Sequence, residues 1–184
     1  LNRQLIKIES DYPLDVTVLY VPSNGANISN VRAVRNPGTQ ISLHRLPQTI
    51  HLDKAASIVN VPAAIRYSKL AQYLHDHGYA LANLASLPHI SVAGACATST
   101  HGSGVNNGSL ATAVVGFELR GADGNLRQID RNAPHFAGMV IHLGALGVIT
   151  RLTLTIEPTF AMSQYVFEQL PWRNAWANLP ALMA

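Results

Sequence analysis

The chain has 184 residues, 48% of them hydrophobic and only 12% charged, enough for one domain with a real core or one domain and the start of another. Its formal charge of +3 comes from 13 Lys and Arg against 10 Asp and Glu; the cations are scattered, which excludes a basic face for nucleic acid. A single cysteine, Cys96, excludes an internal disulfide, and neither a membrane-spanning apolar run nor a signal-peptide pattern is present, so a soluble cytoplasmic protein is the expectation. The chain opens at Leu1 and stops at Ala184 inside a helical pattern, the ends expected of a piece of a longer polypeptide.

In chain order, Leu14–Tyr20 alternates apolar and polar residues and predicts a strand closed by the Pro22–Gly25 turn cluster. Val31–Val34 predicts a second strand, broken by Asn36, Pro37 and Gly38, and Ile41–Leu46 an extended stretch. Ile50–Asp53 and Ser57–Val61 are spaced to pair across Lys54–Ala56. From Ala64 the period changes: Tyr67, Leu70, Ala71 and Leu74 form the stripe of an amphipathic helix that should end at Gly78. His75 and His77 then lie in its last turn, where cations suit the helix dipole; residues two apart on a helix diverge, so they do not make a metal site.

Ala113–Arg120 and Asn125–Asp130 flank Asp123-Gly124, a hairpin signal. A short helix is expected over Pro134–His142. Arg151–Glu157 alternates with Leu152, Leu154 and Ile156 facing in, and Pro158 ends it. Tyr165–Leu170 predicts the start of another strand and Trp172–Ala184 a helix. Short strands with a few interspersed helices make the fold class α+β.

The stretch Ala85–Gly104, ASLPHISVAGACATSTHGSG, contains no Lys, Arg, Asp or Glu. It carries the hydroxyls of Ser86, Ser91, Thr98, Ser99, Thr100 and Ser103, the glycines Gly94, Gly102 and Gly104, and His89 and His101. It lacks the bulky apolar period of a core element and reads as a lining, because small residues let backbone amides and hydroxyls approach an oxygen-rich ligand. Burying so many hydroxyls in a core would leave them needing partners. Gly144–Thr150 (GALGVIT) is a second tight, glycine-bearing segment, and the two read as clamps on one extended ligand.

Several other motifs are excluded. Gly102-Ser-Gly104-Val-Asn-Asn-Gly108 is one residue too long for a dinucleotide fingerprint and follows no predicted strand. No phosphate-binding loop ending in Gly-Lys-Ser/Thr and no G-x-S-x-G elbow occurs. Cys96, between two alanines, reads as a buried filler, not a nucleophile. His44, His51 and His135 show no metal spacing and read as surface residues.

The strings ASLPHISVAG (85–94), ATSTHGSG (97–104), NGSLA (107–111) and LGALGVITRLTL (143–154) closely resemble the alditol (xylitol) oxidase branch of the vanillyl-alcohol-oxidase-type flavoproteins, relatives of the sugar-lactone oxidases. YVFEQLP (165–171) is a weaker echo, and the likeness runs from about Ile41 to the C-terminus. The resemblance implies a PCMH-type FAD-binding domain over residues 1–160 and, over 161–184, the beginning of a second domain that caps the flavin. It implies FAD contacts from Ser86, Ser91, Gly94, Thr98, Ser99, Thr100 and His101. Gly144, Gly147, Val148 and Ile149 would meet the adenosine and phosphate side, and Ser86 would lie near the flavin ring as a tentative catalytic residue.

The implied reaction oxidises a primary alcohol of a small-molecule polyol such as xylitol by hydride transfer to FAD, with O2 as reoxidant and H2O2 as product. This chain alone would be inactive, since most substrate-contacting residues of the family lie downstream. An aldonolactone oxidase or dehydrogenase is the close alternative, and a non-catalytic flavin- or nucleotide-binding module the distant one. The family tethers FAD covalently through a histidine in a G-[ST]-x-H-S loop. That loop is missing between Val34 and Arg35, either deleted or left out of this sequence.

Overall fold

The computed structural model describes Val18–Leu19 and residues 40–183 other than 42, 44 and 167. Most of the expected strand at Leu14–Tyr20, the one at Val31–Val34, the site of the missing tether loop, and His44 lie outside the described residues. The α+β expectation holds: an antiparallel sheet carries small helices on its apolar face.

Strands β1 (Val18–Leu19) and β2 (Gln40–Ile41) pair as a short two-stranded sheet. The main sheet begins with the expected hairpin, β3 (His51–Asp53) and β4 (Ile58–Pro62), closed by a turn in which the Ala56 amide donates to the Asp53 carboxylate at 2.9 Å. Helix α1 (Tyr67–Asp76) buries Tyr67, Leu70 and Leu74, the predicted stripe, and ends before Gly78 at φ +81°. His77 stacks on Tyr73 with 4.2 Å between ring centroids, its Nδ1 lying 2.7 Å from the Tyr73 carbonyl oxygen. Among the described residues no three His, Cys, Asp or Glu come together as a metal site.

After β5 (Tyr79–Ala80) the chain enters α2 (Val92–Ala97), a 3-10 turn at Leu110–Ala113, and the second expected hairpin, β6 (Val114–Arg120) and β7 (Leu126–Asp130). Helix α3 (Phe136–Val140) is shorter than the pattern suggested. Strand β8 (Val148–Thr155) starts three residues earlier than expected, and β9 (Glu157–Pro158) pairs with β5. The five strands lie in the order β3-β4-β8-β6-β7, every neighbouring pair antiparallel.

Two expectations fail at the C-terminal end. Residues 161–170 form no strand among those described. The terminal helix is two short ones, α4 (Trp172–Ala177) and α5 (Leu179–Met183), parted at Asn178 just ahead of Pro180, whose ring cannot continue a helix. No residue of α4 is buried.

The sheet's inner face presents Val59, Val61, Leu152, Leu154, Val114, Phe117 and Leu119 to one core with Leu70 and Leu74 of α1, Val92, Ala95 and Cys96 of α2, and Val140 of α3. Leu152, Leu154 and Ile156 are buried as the alternation predicted. On the other face Asn60 donates to Thr153 at 2.9 Å, and Thr150 to Glu118 at 3.1 Å. Among the described residues no helix is long and apolar enough to cross a membrane.

Candidate functional site

The chargeless segment is laid down by backbone hydrogen bonds to the start of α1. Tyr67 and Ser68, whose amides have no partner within their own helix, donate to the carbonyls of Ile90 and Pro88 at 3.1 and 2.8 Å. This pins the loop that carries Ser86 and His89, both exposed.

A six-residue helix then occupies what the composition suggested was coil. Ser91 is its N-cap, accepting from the Gly94 amide at 3.3 Å. Val92 and Ala93 donate to the carbonyls of Ile65 and Ala63, and Ala95 to that of Ser91. The first four amides of α2 are therefore spoken for within the protein. An added Cβ at Gly94 would lie 2.8 Å from Ser91 Oγ, so the glycine leaves room for the cap.

The periodicity was hidden because Val92, Ala95 and Cys96 bury small side chains where a helix usually buries large ones. Cys96 is enclosed, with Sγ 3.7 Å from Tyr67 Oη and 3.7 Å from the Leu110 carbonyl. Burial pushes its thiol up to about 11, and pushes the Tyr67 phenol above its ordinary range. A thiol protonated at neutral pH is no nucleophile.

Helix α2 ends at Thr98, whose Oγ1 donates to the Gly94 carbonyl at 2.9 Å and lies 3.2 Å from Thr100 Oγ1. Ser99 turns the chain with φ +54°, and Thr100 is held from both sides, its amide on the Ala95 carbonyl and its carbonyl on the Leu110 amide. Beyond it, His101 to Gly108 are all exposed. The amides of His101 to Asn106 donate to nothing among the described residues. His101 Nδ1 contacts only the adjacent Gly102 carbonyl, at 3.1 Å.

The hydroxyls are thus not buried together, as the sequence reading had supposed. Ser86, Thr98 and Ser103 are exposed and Ser91, Ser99 and Thr100 half-buried. Small residues without charge here make an open face.

The second segment meets the first directly. The Leu143 amide donates to the Ala97 carbonyl at 3.2 Å, which sets the turn at 143–147 beside the Thr98–His101 row. Leu143 and Gly144 both take positive φ, +51° and +83°. Gly147, at φ +137°, packs its Cα against the carbonyl of Arg120, too close for any Cβ. The close approach at Gly147 is therefore to the protein's own backbone. Val148 and Ile149 are strand residues opposite Arg120 and Leu119, and the Ile149 side chain lies in the core.

The described part of the protein thus brings Thr98, Ser99, Thr100, His101 and Gly144 to one place, with Ser91 and Gly94 behind them as the helix start. Ser86 stands apart on its own loop. Sequence reasoning missed His142, whose Nδ1 accepts from the Gly144 amide at 2.9 Å; only its position before a glycine turn could have pointed to it. It also missed Arg120, the backbone that Gly147 rests on.

These residues suit the cofactor that the resemblance implies. The exposed amides and hydroxyls of 98–106 are donors for phosphate and ribityl oxygens. Leu87, Val105 and Leu143, on the same segments, are 52%, 68% and 75% exposed, an apolar complement for a flat ring system. The neighbouring recess, lined by Tyr67, Leu81, Asn83, Ser109, Leu110 and Thr112, has a volume of about 120 Å³. It is too small for a dinucleotide, so the fit lies with the open face.

Comparison with known proteins agrees. The chain is 50% identical to an alditol oxidase of Streptomyces sp. over 137 residues, 74% of this chain and 33% of that protein. It is 35% identical to the L-gulonolactone oxidase of Mus musculus over 132 residues, 71% of this chain and 30% of that one. A solved structure of a solvent-stable cholesterol oxidase matches with a TM-score of 0.55 at 22% identity, over 60% of this chain and 24% of that chain, a likeness of fold. The chain thus spans about a third of the length of the curated relatives it matches. Residues 7–130 match the family described as FAD binding domain, starting earlier than the resemblance from Ile41 suggested. The chain belongs to that FAD-binding family.

Proposed function

We propose that this chain is the FAD-holding part of an oxidase acting on a primary alcohol of a sugar alcohol such as xylitol. The observation that carries the reading is the Leu143–Ala97 hydrogen bond, which gathers the two predicted segments into one open face of donors. The 50% identity to an alditol oxidase supports the substrate class. When bound, FAD supplies a hydride acceptor that dioxygen reoxidises, releasing hydrogen peroxide. The chain's own contribution is to bind and orient.

In this reading the Thr98–Asn106 hydroxyls and amides hold the diphosphate, and Gly144 and Gly147 shape the turn against the adenosine side. Ser91 and Gly94 support the face by starting α2, and Val148 and Ile149 anchor the turn to the sheet. Ser86 reaches the flavin ring and touches the polyol. Residues 1–160 form the cofactor domain, and the chain from 161 opens the capping domain that completes the substrate site. Covalent attachment of FAD follows the family's habit and would need a histidine in the segment preceding Ile41.

The full-length protein should release peroxide with xylitol or sorbitol and far less with an aldonolactone. The 35% identity to L-gulonolactone oxidase favours the reverse preference as the second reading. Release with neither, from protein that carries flavin, would leave a binding module. In the same assay Ser86→Ala should slow anaerobic flavin reduction with FAD still bound; unchanged reduction would remove Ser86 from the ring.

A further inference from the structure

We infer that His142 is a positioning residue for the cofactor: by accepting the Gly144 amide, its Nδ1 holds the Leu143–Gly147 turn in the shape that meets FAD. This rests on the FAD reading above.

The argument starts from the imidazole. A ring nitrogen that accepts a hydrogen bond is bare, so the neutral ring carries its proton on Nε2. Nε2 is enclosed and has no partner among the described residues. An unpartnered buried donor is destabilising, and a phenyl ring would fill the same space without that penalty. What a phenyl ring cannot do is accept the Gly144 amide.

The bond spans from residue i to the amide of i+2, the geometry by which Asn and Asp hold an Asx turn. Here it steadies two consecutive residues of positive φ, of which Leu143 is not a glycine. The same turn is tied by Leu143 to Ala97, one residue before the Thr98 row. The His142 carbonyl adds a bond from the Ala145 amide at 2.8 Å. Imidazole and peptide thus grip the turn from one side and α2 from the other.

Protonation would go to Nδ1 and set two donors against each other. The titratable groups on the surrounding elements are Glu118 and Arg120 of β6, Arg151 of β8 and His101 beyond α2. None of them shifts the ring, which burial alone holds below its ordinary 6.5. The neutral, accepting form therefore prevails at neutral pH, and the grip is lost as pH falls through that lowered value.

The test is FAD titration of the apoprotein, followed by flavin fluorescence, for wild type, His142→Phe and His142→Asn. Near neutral pH, Phe should raise the Kd about tenfold. Asn, able to form the Asx turn, should restore binding to within about twofold of wild type. Wild-type Kd should climb below about pH 6.5, while the Asn variant lacks that limb. Phe binding as wild type, Asn failing to rescue, or an Asn pH profile like wild type would each overturn the proposal. Should the Phe variant not fold, the wild-type and Asn profiles decide. Wild-type protein that binds no FAD at any pH would overturn the FAD reading and this inference with it.

Discussion

Ser91 and Gly94 illustrate how one pair of small residues is coupled. The serine hydroxyl caps α2, and the missing Cβ of Gly94 keeps that hydroxyl in place. Ser91→Ala should cost about 1 kcal/mol of stability through the lost cap. Gly94→Ala gains roughly 1 kcal/mol of helix propensity and loses the cap, so it should be near neutral alone. In the Ser91→Ala background it should stabilise, giving a coupling of about 1 kcal/mol by urea denaturation of the four proteins of the cycle. Strict additivity would mean that the clash is relieved some other way. Gly147 is a different case. Its φ and its contact with the Arg120 carbonyl make Gly147→Ala destabilising by about 3 kcal/mol or more. Gly144, also at positive φ but with nothing near its Cβ position, should lose about 1 kcal/mol as Ala. Equal midpoints for the two variants in thermal denaturation would contradict this.

At the scale of elements, legibility followed side-chain size. Helix α1 was plain because Tyr67, Leu70 and Leu74 are large and recur at the helical period. Both hairpins of the main sheet were plain because turn residues separate alternating runs. Helix α2 was invisible because alanine, cysteine and valine carry its buried face, and such residues give no period against the glycines and threonines beside them. The early start of β8 was missed for a related reason. Gly144 and Gly147 announced a turn, but only Gly147's seat on Arg120 shows where turn becomes strand. At 165–170 the apolar-polar alternation promised a strand with no neighbour to pair with. Tyr165 and Val166 are 81% and 72% exposed instead, and an alternating pattern alone does not supply a partner edge.

For the whole molecule, the account joins two segments some forty residues apart in sequence into one cofactor face on the edge of a five-stranded sheet. Composition marked the first segment, and the family strings attached a ligand to both. Neither could show that the amides at the start of α2 are already used, which moves the available donors onward to His101–Asn106. Nor could they show that the hydroxyls face outward, because exposure depends on what the intervening chain covers. The central claim is that this face holds FAD, and the flavin content of the full-length protein tests it most directly. Absorbance and mass measured before and after denaturation should give one FAD per chain. Protein that purifies without flavin and takes up none on titration would contradict the account.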